Sequence, residues 1–196
     1  NIIADNPVHK ITVPRSMQDD KIKVLNKKEF DDLILKLKNQ RARLISLLAG
    51  ACGLRIGEIM GLTWNRVDFK KATITIDRQW KRYDNANKSA KKYDFGAVKQ
   101  KKSNRVVPIP PTTLTALCEY KRSNPTDLDN RVIIAKNTNS IIRDLKKYYN
   151  RAGYDITCHT LRHTYATTLI ANGLDFKTVA ELMGHDVEQT IKTYSH

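Results

Sequence analysis

One island of strand-like alternation, set in a chain otherwise patterned for helices, fixes the fold class. From Ala72 to Ile76, Thr73 and Thr75 alternate with Ile74 and Ile76, the period of a strand with one buried face. A second strand is expected near 93–98 and a third near 104–109, where Pro108, Pro110 and Pro111 end the sheet. Before this island, Asn26 and Glu29 form an Asn-x-x-Glu cap signal, and Phe30, Leu33, Ile34 and Leu37 follow on one helical face. A second helix carries Leu44, Ile45, Leu47, Leu48 and Ala51 and is punctuated by Gly53; a further turn or two spans 56–62. After the island, helices are expected over 113–121, 140–151, 160–172 and 176–183, with Gly153, Gly173 and Gly184 at their stops. A last short helix should start at Asp186, with Gln189 as its capping partner. The expected fold is mainly α with a small three-stranded antiparallel β-sheet, an α+β architecture.

The chain has 196 residues, enough for one domain with a sizeable core or a domain plus a short arm. Residues 1–23 carry Pro7 and Pro14, lack helical periodicity and read as a linker or arm; the folded domain should occupy 24–196. The first residue is Asn1 rather than Met, which suggests that an N-terminal region has been removed. The longest apolar run, Leu44 to Leu54, is far too short to span a bilayer, so no membrane role is expected. Cys52, Cys118 and Cys158 are odd in number and dispersed, which argues against a disulfide framework or structural zinc and fits a reducing cytoplasm.

Thirty-five Lys and Arg face twenty Asp and Glu, a formal net charge of +15. Charge of that size on a small domain implies a polyanionic partner, with nucleic acid the default. The excess is concentrated: Arg78, Lys81, Arg82, Lys88, Lys91, Lys92, Lys99, Lys101, Lys102 and Arg105 are opposed only by Asp84 and Asp94 in that segment. A solvated loop would carry such charges too, but on the expected hairpin they would form a ribbon able to straddle phosphates.

Five short stretches carry the chemistry. Gly53-Leu-Arg55-Ile-Gly-Glu58 places one arginine in a glycine-flanked bend after an apolar helix. Lysines precede the third strand in Lys99-Gln-Lys101-Lys102. His159-Thr-Leu-Arg162-His163 puts His159 and Arg162 on one helical face. Gly184-His185 ends the next helix, and Tyr194 lies nine residues beyond His185. Each has a plainer reading. Arg55 could simply pair with Glu58 one turn on. His159 and His163 beside Cys158 hint at a metal, but a third ligand is not placed for it. Tyr165 is expected in the core, and Trp64 and Trp80 either in the core, the preferred reading, or against DNA.

Taken in order, these residues resemble the catalytic domain of the tyrosine recombinase (phage integrase) family, of the type found in prophages and conjugative transposons. The resemblance runs from about Val24 to the end. It implies a site-specific DNA recombinase that cuts and rejoins strands through a covalent 3′-phosphotyrosine, integrating or excising a mobile element. Arg55, Lys101, His159, Arg162 and His185 then stand at the family's catalytic positions, and Tyr194 at its nucleophile. Thr160 stands where many members have an acidic residue. Glu58 would orient Arg55. Arg78, Lys81, Arg82, Lys99, Lys102 and Arg105 would bind DNA. No metal or cofactor is implied; the partners would be double-stranded DNA, three further copies in a tetramer, and accessory DNA-bending or directionality factors. The place of action would be the bacterial cytoplasm. A relaxing topoisomerase or a DNA-binding module with a degenerate site would share many of these features.

Elementary chemistry supports these roles. Attack on a phosphodiester builds negative charge on a five-coordinate phosphorus, and planar guanidinium forks match its oxygens bidentately at any workable pH. His185 could add a hydrogen bond to a non-bridging oxygen. An unperturbed tyrosine ionises near pH 10, so Tyr194 needs nearby cations and a proton acceptor, for which His159 is the expected group. The leaving 5′-oxygen needs a proton, which a hairpin lysine can deliver; Lys101 fits that role, with Lys99 and Lys102 as rivals.

Overall fold

The computed structural model describes residues 23–83, 93–98, 103–135 and 137–194. Helix α1 (Lys27–Lys36) starts with the expected capping box: Glu29 N–H donates to Asn26 Oδ1 at 3.0 Å and Asn26 N–H to Glu29 Oε2 at 2.7 Å. Helix α2 (Gln40–Gly50) buries Ala42 and every residue from Leu44 to Ala49, because its apolar residues surround the axis rather than forming a stripe. Ser46 survives there by donating to Ala42 O at 2.8 Å and sharing a 2.9 Å bond with the buried Tyr149 hydroxyl. This satisfies both polar groups. Helix α3 (Ile56–Met60) follows, then a 3₁₀ turn at Trp64–Arg66.

Strands β1 (Val67–Asp68), β2 (Thr73–Ile76) and β5 (Arg105–Pro108) form a three-stranded antiparallel sheet in the order β1-β2-β5. Ile74 faces Val107 in that ladder, and both are fully buried. Here the structure corrects the expected sheet. The segment near 93–98 does not join it: β4 (Tyr93–Ala97) pairs with β3 (Arg78–Arg82) as a separate antiparallel ribbon. Trp80 and Phe95 meet edge to face across the ribbon at 5.2 Å, a contact that fixes its register. The missing edge of the main sheet is the two-residue β1, too short to show a period.

The remaining helices are α4 (Pro111–Ser123), α5 (Thr138–Arg151), α6 (Cys158–Ala171), α7 (Phe176–Met183) and α8 (Val187–Tyr194). Proline at the first turn of α4 costs no hydrogen bond, since that N–H has no helical partner. Helix α2 packs against α4 and α6 in the main core, which also takes in Trp64 and Trp80. A second, smaller core joins α6, α7 and α8: Tyr165, Ala166, Val179 and Met183 are buried there, with Leu182 and Tyr194 against them. Helix α8 buries only Thr190 fully, so little apolar surface anchors it. Among the described residues, no helix is long and apolar enough to cross a membrane.

Candidate active site

The site forms where the C-terminus of α7 meets the bend between α2 and α3. Gly184 closes α7 in the left-handed conformation (φ 62°, ψ 44°), as a C-terminal glycine does, and leaves the last carbonyls of the helix exposed to donors. Three arginines from three distant segments take them. Arg105 Nε donates to Leu182 O at 2.7 Å, Arg162 Nη2 donates to Met183 O, and Arg55 Nη2 donates to Gly184 O at 2.9 Å. Cations at the negative end of a helix are favoured both by its dipole and by its orphan carbonyls. Gly53 is likewise left-handed (φ 69°), and its carbonyl accepts from Arg162 Nη1. A Cβ there would lie 2.4 Å from the Tyr165 ring, so the bend requires glycine.

Glu58 sits at the centre. Its carboxylate accepts from Arg55 N–H (2.9 Å), Arg55 Nη1 (2.8 Å), Arg105 Nη2 (2.8 Å) and Arg105 Nη1 (3.2 Å), and lies 3.9 Å from Arg162 Nη1. Burial alone would push its pKa up, but the Arg105 hydrogen bonds and the three guanidinium charges hold it at about 2. The carboxylate therefore stays ionised, and three arginines against one glutamate leave a net positive cradle. The side chains of Arg162, Arg105 and Glu58 are 1%, 5% and 2% exposed, whereas that of Arg55 is 31% exposed. Arg55 is thus the member of the cluster most open to an incoming anion.

Helix α6 carries the opposite wall. Thr157 and Thr160 close a reciprocal capping box at its start, so Thr160 has a structural task of its own. Arg162 Nη2 also contacts His185 Nε2 at 2.9 Å. Since a guanidinium only donates, Nε2 is the acceptor and His185 carries its proton on Nδ1. Burial and the charges of Arg162, Arg55 and Arg105 lower the His185 pKa to about 3, so the ring is neutral. Its Nδ1 is buried without a partner among the described residues. A donor in that state suits a phosphate oxygen.

Tyr194 packs on the smaller core at the end of α8. Its hydroxyl is hydrogen-bonded at 2.6 Å to His163 Nδ1, not to His159, the acceptor expected from the sequence. His159 is exposed and sits edge-on to His163, with ring centroids 4.4 Å apart. Burial raises the Tyr194 pKa to about 12, against the opposing pull of Arg162. Among the described residues, no three His, Cys, Asp or Glu side chains form a metal-ligand group.

The structure thus brings together Arg55, Glu58, Arg162 and His185, with His159, His163 and Tyr194 along α6 and α8. Lys99, Lys101 and Lys102 lie outside the described residues, as do Lys88, Lys91 and Lys92. On the ribbon, Arg78 pairs with Asp77 at 2.9 Å and Lys81 lies over the Tyr83 ring at 4.8 Å, while Arg82 ends β3. Arg105 is corrected: expected to face DNA with the hairpin, it is buried with its guanidinium committed to Glu58 and Leu182. Strand alternation was the available signal, since Arg105 shares a face with the buried Val107 while Val106 is 58% exposed. In the sequence His163 stands out only as half of a metal pair, and nothing local places Tyr194 against it.

A helical frame with a small antiparallel sheet, holding a positive cradle beside a tyrosine, defines the catalytic domain of a tyrosine recombinase. The chain belongs to the phage integrase family, whose model matches residues 23–196. It is 30% identical to a XerC-like tyrosine recombinase of Caldanaerobacter subterraneus subsp. tengcongensis, over 99% of this chain and 56% of that protein. It is 27% identical to the transposase of transposon Tn916 from Enterococcus faecalis, over all of this chain and 50% of that protein. The chain therefore spans about half the length of these relatives. Its fold matches the Tn1549 transposon integrase, solved in complex with transposon right end DNA, with a TM-score of 0.74 at 22% identity, over 99% of this chain and 68% of that one.

Proposed function

We propose that residues 24–196 are the catalytic domain of a site-specific DNA recombinase that integrates or excises a mobile element, with residues 1–23 the linker from a DNA-binding region. The observation that carries this reading is the positive cradle of Arg55, Arg105 and Arg162 around Glu58, with His185 bonded to Arg162 and the Tyr194 hydroxyl bonded to His163, the residue next to Arg162 on α6. Relatives named for transposons support the mobile-element assignment. Tyr194 attacks the scissile phosphate, forms the 3′-phosphotyrosine bond and frees a 5′-hydroxyl. A 5′-hydroxyl from a second duplex reverses the step, so the bond energy is kept and no high-energy cofactor is needed. Arg55 and Arg162 stabilise the developing charge, a contribution whose loss costs on the order of 10²–10³ in rate per donor. Duplex DNA is the partner, with a tetramer of the whole protein, and accessory bending or directionality factors, assembling on it in the bacterial cytoplasm. The deciding experiment traps the adduct on a labelled, nicked suicide duplex and identifies the linked residue by mass spectrometry. Linkage at Tyr194 supports the reading, and linkage at another residue or none removes it.

Two further outcomes follow from the same chemistry. Because guanidinium groups carry the positive charge at the phosphate, adduct formation should persist in excess EDTA. Activity that collapses with chelator and returns with magnesium or manganese would instead indicate a nuclease. For the leaving group, Lys101→Ala should weaken DNA binding only by one phosphate contact, a change of about 0.9 in the log–log salt slope. Its cleavage rate should fall far more, by about 10²–10⁴. A bridging 5′-phosphorothiolate, whose thiolate leaves without a proton, should restore it. Rescue of Lys99→Ala or Lys102→Ala in place of Lys101→Ala would move the acid to that neighbour.

A further inference from the structure

We propose that His163 is the group that takes the proton from Tyr194 as the tyrosine attacks, an assignment that rests on the recombinase reading above. Among the described residues, the one hydrogen bond of the Tyr194 hydroxyl is to His163 Nδ1, at 2.6 Å. A phenol is a better proton donor than a neutral imidazole N–H, and an imidazole nitrogen is a better acceptor than a phenol oxygen. The bond therefore runs O–H to N, with the His163 proton on Nε2. That is the geometry of a base already in contact with the proton it will remove. His159 touches the His163 ring and makes no bond to Tyr194.

The surroundings make such a base necessary and keep it silent until substrate arrives. Burial holds the tyrosine pKa at about 12, so only about one phenol in 10⁵ ionises unaided at neutral pH. Burial, His159 and Arg162 hold His163 down at about 4, so it is neutral and free to accept. An imidazolium beside Arg162 and His159 is disfavoured. A bound phosphodiester brings negative charge, more so as the five-coordinate state forms, and raises the basicity of the ring. In the step itself, the Tyr194 O–H bond breaks with its proton passing to His163 Nδ1. The phenolic oxygen bonds to phosphorus, and the P–O5′ bond breaks with a proton supplied to the departing oxygen by a general acid. Rejoining returns the His163 proton to the tyrosine.

The test compares the chain with its His163→Asn variant on nicked suicide duplexes recovered from a randomised pool by covalent capture. The asparagine Oδ1 can stand near Nδ1 and accept the hydrogen bond, but cannot take the proton. Adduct formation should slow by about 10²–10⁴ while DNA affinity is retained. Replacing Tyr194 by a ring-fluorinated tyrosine, whose phenol is more acidic, should narrow that gap because an ionised nucleophile needs no base. An undiminished rate in His163→Asn, or a deficit that fluorination leaves unchanged, overturns the proposal, the latter by showing a positioning role alone. Nitrogen NMR of the unsubstituted chain gives a readout independent of folding in the variant: the Nε2–H tautomer is expected, and an Nδ1–H tautomer refutes the assignment. If the unsubstituted chain forms no adduct, the recombinase reading falls and takes this proposal with it; a normal adduct from both proteins removes only the role of His163.

Discussion

The Tyr194→Phe variant should form no covalent adduct with DNA while binding it almost as well as the unsubstituted chain. The substitution removes one oxygen and nothing else. The ring keeps its place against the small core of α6, α7 and α8, so the packing that orients α8 is preserved. What is lost structurally is the 2.6 Å bond to His163, a net contribution of about 0.5–1.5 kcal/mol. The arginine cluster lies on elements other than α8 and is untouched, which is why affinity should survive. Without a nucleophilic oxygen there is no covalent route, so the loss is of the whole reaction rather than a factor in its rate. The measurement is denaturing electrophoresis of labelled DNA, read against a binding titration on the same duplex. An adduct at normal yield would remove Tyr194 from the mechanism; loss of adduct together with loss of binding would mean that the hydroxyl also holds the DNA-binding surface in place through its bond to His163.

How much of this was legible in the sequence depends on the range of the signal. Helix α7 begins at Phe176 and ends at Met183, as expected, because its determinants are local: Asp175 caps it and Gly184 terminates it. The capping box at Asn26 is of the same kind. The strand over Thr73–Ile76 was readable because one of its faces is buried and alternation survives. Strand β3 was not, since Arg-Gln-Trp-Lys-Arg offers one apolar residue and no period. It exists because the ladder to β4 and the Trp80–Phe95 contact hold it, and both require a partner far along the chain.

The candidate site divides in the same way. Arg55 and Glu58 are one helical turn apart, so their pairing could be anticipated from spacing. That Arg105 grips the same carboxylate could not, because 47 positions separate it from Glu58. Charge composition placed Arg105 with the DNA-facing lysines, whereas strand geometry turns it inward. His163 met the same limit: its contact with Tyr194 is made by the return of α8 across α6, a tertiary event that follows from the packing of the smaller core.

That convergence on one carboxylate makes Glu58→Gln a severely destabilising change despite its conservative shape. The amide keeps the shape but replaces one acceptor oxygen with an NH₂ that faces guanidinium donors. Arg105 and Arg162, both almost wholly buried, then lose their counter-charge. Breaking a buried ion pair from one side typically costs about 3–5 kcal/mol. A domain of this size is stable by about 5–15 kcal/mol, so the variant should unfold at much lower denaturant while retaining its m-value. The pH dependence separates this cause from a packing defect. Glu58 ionises at about 2 when folded against an ordinary value of 4.5. Its stabilising contribution is therefore complete above the unfolded value and disappears as pH falls through the folded one. The stability gap between the two proteins should be widest at neutral pH and close progressively below about pH 4.5. A gap that stays constant down to the acid limit would assign the loss to shape rather than charge. A variant as stable as the unsubstituted chain at neutral pH would mean that the three arginines do not depend on Glu58 to share the site.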